Sequence, residues 1–178
     1  MGKIRIIGGV HRSRQLSVID APDLRPTLDR VKETLFNWLG QDLTSKNCLD
    51  LFAGSGSLGF EACSRNAASV VMVEENSKVA RQLTDNIKLL KIEASAKIVC
   101  REALAYLTSC SETFDLIFLD PPYKGNLLSQ SLLVIDKILA KDGQIYIEYE
   151  NQPLIPEKYR VIKQGKAGNV KFALLELI

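Results

Sequence analysis

The chain has a single histidine, His11, and its four cysteines form no C-x-x-C pair. One histidine without paired cysteines does not make an ordinary zinc site, so we predict no metal centre. A histidine-dependent nucleophile is disfavoured as well, because His11 stands among basic residues and has no evident partner. The cysteines are expected to be buried free thiols of a reducing compartment. They are Cys48, Cys63, Cys100 and Cys110.

Long apolar runs are also missing from the chain. No segment is long enough to span a bilayer, and the first residues lack the apolar core of a signal peptide. We therefore expect a cytoplasmic protein without a membrane partner. With 178 residues and 46% hydrophobic composition, the chain has the size of one compact domain. We predict a single domain over residues 1–178 that works as a monomer.

An excess of basic charge is absent too, since 23 basic and 21 acidic residues give a net charge of only +2. This balance does not by itself indicate a nucleic-acid partner. The amino-terminal residues are nevertheless basic, and two adjacent glycines there separate two apolar segments, which is typical of a hairpin. We predict a basic hairpin-like arm over residues 1–24. Its candidate RNA-phosphate contacts are Arg5, Arg12 and Arg14, and an ordinary solvated surface is the alternative.

An acceptor-rich corner follows the apolar run at residues 116–119, where a buried strand is expected to end. Proline lacks an N–H donor, so two successive prolines leave carbonyl oxygens available, and an aspartate adds a carboxylate. Such acceptors can hold the exocyclic amino group of a nucleobase with its lone pair aimed at an electrophile, while a tyrosine stacks on the base. The candidate catalytic residues are Asp120, Pro121, Pro122 and Tyr123. The alternative is a proline-rich turn with an Asx-type hydrogen bond.

A G-x-G-x-x-G sequence lies between a predicted strand and a predicted helix, which is the context that nucleotide binding requires. Asp50 stands four positions before the first glycine. Its carboxylate would repel a pyrophosphate and attract the ammonium of a methionine moiety, so S-adenosylmethionine fits better than a dinucleotide. The alternative is that Asp50 caps a backbone turn. The candidate cofactor-binding residues here are Asp50, Ala53, Gly54, Gly56 and Gly59.

Two further acids follow predicted strands. Glu74 comes 24 residues after Asp50. This is near the ~20-residue interval at which a carboxylate meets ribose hydroxyls in such folds. Because strand side chains alternate, only one of Glu74 and Glu75 is expected to face the pocket, and we choose Glu74. Glu102 and Ala103 follow a third strand, at the position of the adenine edge. Glu102 alternatively favours the N-terminus of the helix that follows.

Strands and helices alternate along the chain, which predicts a three-layer α/β sandwich with a mostly parallel, Rossmann-like sheet. No helical segment separates residues 159–162 from residues 172–175, so these are predicted to form an antiparallel pair at one sheet edge. Ligands of such folds bind at the carboxyl ends of the strands. The glycine turn and the acceptor corner both occupy such ends.

Three helices have predicted boundaries. Thr27 is expected to cap a helix that buries Leu28 on its apolar face, and Ser77 is expected to cap a second helix. The third helix is predicted over about residues 128–140, ahead of a strand at residues 144–148.

Together, the glycine turn, Glu74 and the acceptor corner resemble the motifs of class I S-adenosylmethionine-dependent amino methyltransferases. Residues 5–9, 24–27 and 29–39 narrow the resemblance to the RsmD family of bacterial small-subunit rRNA guanine-N2 methyltransferases, and it covers nearly the whole chain. The resemblance implies S-adenosyl-L-methionine as cofactor and a cofactor contact from a turn that contains Arg25 and Thr27. It also implies methylation of a guanine in 16S rRNA, of the guanine-966 type, on free rRNA or on the small ribosomal subunit.

Two other functions are compatible with parts of the sequence. A DNA adenine-N6 methyltransferase uses the same acceptor corner, but this chain shows no additional target-recognition domain. A non-catalytic RNA-binding module would not need an acceptor corner beside a cofactor cleft.

Overall fold

The computed structural model describes residues 1–21 and 27–178. In this part of the chain the strands are β1 (Gly2–Arg5), β2 (Gln15–Val18), β3 (Asn47–Asp50), β4 (Ser69–Glu74), β5 (Ala96–Cys100), β6 (Phe114–Leu119), β7 (Leu139–Tyr149), β8 (Tyr159–Ala167) and β9 (Val170–Leu177). The helices are α1 (Asp29–Trp38), α2 (Ser57–Ser64), α3 (Ser77–Leu90), α4 (Ala103–Ser109) and α5 (Leu127–Val134), and a 3-10 turn follows at Ile135–Ile138.

Seven strands form the central sheet in the order β5-β4-β3-β6-β7-β9-β8. The first five are parallel, whereas β9 runs antiparallel to both β7 and β8. The predicted mostly parallel sheet with an antiparallel edge pair is therefore confirmed. Its order brings the carboxyl ends of β3, β4, β5 and β6 together at one edge.

Alternating side chains of the central strands pack into two separate cores, one on each face of the sheet. In β6, Phe118 packs with residues of α1, α2 and α3, while Ile117 and Leu119 pack with residues of α4 and α5. This is the predicted three-layer sandwich. No helix in the described ranges has the length and apolar character needed to cross a membrane.

In the amino-terminal arm, β1 and β2 form an antiparallel hairpin that packs against the domain. Ile4 pairs with Leu16 across the hairpin, and both side chains are buried in the core that also contains α1, α2 and α3. Gly9 has a φ of 74°, and a Cβ there would collide with the backbone carbonyl of Ser64 at the end of α2. The glycine is required because the arm and α2 approach each other closely.

Two predicted helix caps are wrong. Thr27 does not cap α1, because the N-cap position is Leu28, which provides no side-chain cap hydrogen bond and is 50% exposed. Ser77 is the first residue of α3, and the preceding Asn76 caps it by accepting from the N–H groups of Lys78 and Val79. An asparagine one position earlier satisfies the free N–H groups, so Ser77 is not needed for that role.

The third helix and two of the cysteines also differ from the predictions. The helical segment ends before residue 140, because β7 already begins at Leu139 and continues past Asp142, where φ is 60°. Cys48 and Cys63 are buried as expected, whereas Cys100 is exposed and Cys110 is half-buried; all four thiols are free. Cys100 is exposed because it ends β5, the edge strand of the sheet.

Candidate cofactor and catalytic site

A cavity of about 270 Å³ opens at the carboxyl ends of β3, β4, β5 and β6. Ten of the predicted site residues border it: Thr27, Asp50, Ala53, Gly54, Glu74, Glu102, Ala103, Asp120, Pro121 and Pro122. Gly56, Gly59 and Tyr123 do not line it, and Arg25 lies outside the described residues. The fold thus brings the glycine turn and the acceptor corner to the same cavity, although they are far apart in the sequence.

Gly56 and Gly59 shape the turn from behind the cavity. Gly56 is the N-cap residue of α2 with a φ of 79°, and a Cβ at this position would collide with the ring of Phe60. Only glycine fits both the backbone conformation and the space. Gly59 donates its backbone N–H to Oδ2 of Asp50 at 3.0 Å, which ties the first turn of α2 to the end of β3.

Asp50 is fully buried and borders the cavity. Burial raises the pKa of its carboxyl to about 7, the bond from Gly59 opposes this rise, and the nearby charges of Glu74 and Glu148 add to it. The turn-capping role is therefore present in the structure. A carboxylate that ionises reluctantly gains most from a neighbouring cation, so the predicted contact with a ligand ammonium is compatible with the cap.

Glu74 at the end of β4 holds the glycine turn. One carboxylate oxygen accepts from the N–H of Gly54 at 3.0 Å and the other accepts from the N–H of Asn76 at 2.8 Å. Burial raises the pKa of Glu74 despite these bonds. Glu75 also borders the cavity, and the choice of Glu74 as the acid whose side chain meets the ligand stays a prediction. Strand alternation ends with β4 at Glu74, and it does not constrain the following residue.

Glu102 caps α4 by accepting from the N–H groups of Leu104 and Ala105 at 2.9 and 2.8 Å. The helix-terminus role of Glu102 is thus observed. Glu102 also borders the cavity, so a contact with the adenine edge is sterically possible and stays a prediction. Arg101 lines the cavity beside it and was not identified from the sequence. Its position directly after the strand end was the available signal.

The acceptor corner follows β6 directly, with Pro121 buried and Asp120 half-buried. Behind it, the hydroxyl of Tyr146 donates to Oε1 of Glu148 at 2.8 Å, and both residues are buried. Burial raises the pKa of Tyr146, and the charges of Glu148, Asp120 and Tyr123 raise it further. Sequence reasoning missed Glu148, although it follows an apolar run in the same way as Glu74.

The three arginines of the arm lie outside the cavity lining. Arg5 is exposed and donates to Oδ2 of Asp29 at 2.6 Å. Arg12 and Arg14 are exposed, and Arg12 borders an open groove beside Gly8 and Gly9. The prediction of phosphate contacts therefore rests mainly on Arg12 and Arg14.

A buried charge network fixes the arm to α2. The fully buried carboxylate of Glu61 accepts from the N–H groups of Ile7 and Gly8 at 3.0 and 2.9 Å, and from Nε of Arg65 at 3.1 Å. Nζ of Lys32 lies 3.7 Å from the same carboxylate and donates to the carbonyl oxygen of Arg5 at 2.6 Å. Burial lowers the pKa of Lys32, while the charge of Glu61 opposes that shift. Sequence reasoning missed this network, whose one local signal is the acid–base pair formed four residues apart by Glu61 of α2 and its C-cap residue Arg65.

The cavity has the character that a cationic nucleoside cofactor requires. Its described lining carries one guanidinium, from Arg101, and five carboxyl groups, from Asp50, Glu74, Glu75, Glu102 and Asp120. S-adenosylmethionine combines a sulfonium and an ammonium with one carboxylate, so its net positive charge complements this lining. The hydroxyl of Ser57 is buried at the cavity wall and has no hydrogen-bond partner among the described residues. The residues present therefore fit such a cofactor and leave one polar group for it.

Comparisons with known proteins place the chain in a family. The sequence profile of the family described as conserved hypothetical protein 95 matches residues 4–176. The ribosomal RNA small subunit methyltransferase D of Escherichia coli is 40% identical over 180 aligned residues, which cover 98% of this chain and 90% of that protein. The protein of the same name from Haemophilus influenzae is 44% identical over 182 aligned residues, covering 98% and 94%.

The fold agrees with this match. The solved structure of the Escherichia coli methyltransferase yhhF superposes with a TM-score of 0.89 at 36% identity, covering 99% of this chain and 98% of that one. A Thermus thermophilus protein superposes with a TM-score of 0.82 at 26% identity, covering 98% and 99%. The profile, the relatives and the acidic cavity lead to one conclusion: the chain belongs to the RsmD family of class I methyltransferases, and its cofactor is S-adenosylmethionine.

Proposed function

We propose that the protein transfers a methyl group from S-adenosylmethionine to the N2 amino group of a guanine in 16S rRNA, of the guanine-966 type, in the bacterial cytoplasm and as a single chain. The observation that carries this proposal is the shared cavity, which Asp120 and Pro121 border together with Asp50 and Gly54 of the glycine turn. The names of the relatives supply the rRNA of the small subunit as the substrate class.

The proposed chemistry depends on alignment. The cofactor supplies an electrophilic methyl group on a sulfonium. Asp120 and the carbonyl oxygen of Pro121 accept the two N–H groups of the guanine amino group, so the nitrogen lone pair points along the line of transfer. Asp120 takes up the proton that the nitrogen loses, and Tyr123 stacks on a base displaced from its RNA stack.

The test compares acceptors that differ by one amino group. Single-turnover transfer of labelled methyl is measured on small-subunit rRNA, free and assembled, from cells that lack this gene. A parallel fragment carries inosine, which lacks the N2 amino group, in place of the mapped guanine, and an adenine-containing DNA duplex is the third substrate. We expect transfer only to the guanine-containing RNA. Transfer to the DNA duplex would favour the adenine-N6 alternative, and no transfer to any substrate would favour a binding module.

Glu74→Ala should weaken binding of S-adenosylhomocysteine by about 1.5 to 3 kcal/mol, the scale of a hydrogen bond to a charged group. The substitution removes the proposed ribose acceptor and also the acceptor for the N–H of Gly54. Isothermal titration calorimetry measures the effect, with Glu112→Ala as a control because Glu112 lies on the surface in a pair with Lys97. An unchanged dissociation constant for Glu74→Ala, or tight binding of NAD by the parent protein, would contradict the assignment.

Replacing Arg12 and Arg14 with alanine should weaken RNA binding and flatten its dependence on salt. Fewer phosphate contacts form on binding, so fewer counterions are released from the RNA. Adding Arg5→Ala should change the slope less, since Arg5 already pairs with Asp29. RNA affinity is measured across a salt series, and cofactor affinity should stay constant. Lys163→Ala and Lys166→Ala on the outer strand β8 are the matched control. Equal slopes for the two double variants would assign the arm to ordinary solvated surface.

A further inference from the structure

Ser57 is a buried polar residue to which no role has been assigned so far. It is the first residue of α2, its relative exposure is 5%, and it borders the cofactor cavity. Its Oγ is buried and has no hydrogen-bond partner, and it stands alone in this respect among the side-chain nitrogen and oxygen atoms of residues 1–21 and 27–178. A buried hydroxyl without a partner destabilises a fold. Its presence at a ligand cavity therefore points to a partner that arrives with the ligand.

The surroundings of Ser57 indicate which part of the cofactor it meets. The positive end of the α2 dipole and the N-terminal N–H groups favour an anion at this place. The N-cap residue Gly56 has no side chain to occupy it. Among the described residues, Arg101 provides the one guanidinium of the cavity lining. It follows β5 at the sheet edge, two strands away from β3, and so it lies away from the start of α2. The anionic group of S-adenosylmethionine is the carboxylate of its methionine moiety.

The position of Asp50 leads to the same group. Asp50 is bonded to the first turn of α2 through the N–H of Gly59, and its carboxylate is the proposed site of the methionine ammonium. The ammonium and the carboxylate are both attached to the α-carbon of the methionine moiety, so the carboxylate must also lie near the start of α2.

We propose that the side chain of Ser57 turns about its Cα–Cβ bond when the cofactor binds, so that Oγ, which is buried in the ligand-free protein, donates a hydrogen bond to the methionine carboxylate. This inference rests on the placement of the ammonium at Asp50, and it does not depend on which nucleic acid is methylated. Ser57 thereby distinguishes ligands that carry the amino-acid carboxylate from nucleosides that lack it.

The proposal requires two opposite effects from one substitution. Ser57→Ala removes an unpartnered hydroxyl, and alanine is a good helix former, so the ligand-free protein should unfold at the same or a higher temperature. The same variant should bind S-adenosylmethionine about tenfold or more weakly, as expected for a lost hydrogen bond to a charged group. Ser57→Cys retains a side chain of similar shape but slightly larger, and its thiol donates weakly, so it should also weaken binding.

Calorimetric titrations with two ligands identify the contacted group. Decarboxylated S-adenosylmethionine keeps the sulfonium and the ammonium but lacks the carboxylate, so Ser57→Ala should leave its affinity unchanged. Asp50→Asn should weaken both ligands, because both carry the ammonium. If Asp50→Asn weakens neither, the ammonium placement fails, whatever the outcome at Ser57 and without bearing on the RNA substrate.

Ser64→Ala is the matched control on the same helix. Its hydroxyl is buried but partnered, donating to the carbonyl oxygen of Gly8 at 2.5 Å and accepting from the N–H of His11 at 2.9 Å. This variant should unfold at a lower temperature and bind both ligands normally. The proposal is overturned if Ser57→Ala lowers the unfolding temperature as Ser64→Ala does, if it binds S-adenosylmethionine normally, or if it weakens both ligands equally.

Discussion

Asp120→Ala should lower the single-turnover rate of methyl transfer by ~10²-fold or more, the loss expected when positioning and proton acceptance disappear together. Cofactor affinity should change little, because the substitution leaves Glu74 and its bond to Gly54 intact. Asp120→Asn should retain more activity than Asp120→Ala, since an amide oxygen still accepts a hydrogen bond. The measurement is a rapid-quench assay on guanine-containing rRNA at saturating cofactor.

Asp115→Ala serves as the control for this prediction. Asp115 lies near the amino end of the same strand β6 and accepts from the N–H of Asn47 at 2.8 Å, away from the cavity lining. Its loss should leave the transfer rate near the parental value. A parental rate for Asp120→Ala as well would reduce the acceptor corner to a structural turn.

Glu61→Ala should lower the free energy of unfolding by about 3–5 kcal/mol, the usual cost of leaving buried charges without their partner. Lys32 and Arg65 would lose the carboxylate that neutralises them, and the N–H groups of Ile7 and Gly8 would lose their acceptor. Urea denaturation followed by circular dichroism measures the change. Glu61→Gln keeps an acceptor but no charge, so its loss should be smaller.

An exposed ion pair provides the comparison for Glu61. Lys97 and Glu112 lie 2.8 Å apart with more than half of each side chain exposed, and such pairs contribute ~0–1 kcal/mol. Glu112→Ala should therefore be nearly neutral. Similar losses for Glu61→Ala and Glu112→Ala would show that the arm is held by its apolar residues alone.

The sheet was predictable because its central strands are short apolar runs followed by polar residues. The buried strand that the sequence predicts to end with the apolar run at residues 116–119 is β6, which ends at Leu119. The antiparallel edge followed from a missing helix between two strands, and β9 and β8 pair accordingly. Such patterns depend on local composition, which the sequence displays directly.

The cavity was only partly predictable. Asp120 and Glu74 were found because each directly follows a buried strand. Arg101, which lines the cavity, and Glu148, which is buried with Tyr146 outside the cavity lining, also follow strand-like runs and were overlooked. Ser57 carries no signal at all, because its significance is the lack of a hydrogen-bond partner, which is a property of the folded state.

Interactions between distant segments leave little trace in the local sequence. The role of Glu61 depends on residues 7 and 8, which are more than fifty positions away. The caps predicted at Thr27 and Ser77 failed for a local reason, since a one-residue shift of a helix start changes which side chain reaches the free N–H groups.

The helix α2 connects the two ends of the proposed machinery. It begins beside Gly56 in the cofactor turn and ends at Ser64, where the arm is attached. Eight residues at the helical rise span about 12 Å, and a helix cannot be stretched to a different length. If the arm binds RNA phosphates, the fixed length of α2 sets the distance between those phosphates and the methyl donor, which the target base must span. Geometry of the RNA would thereby become a criterion of selection alongside the identity of the base.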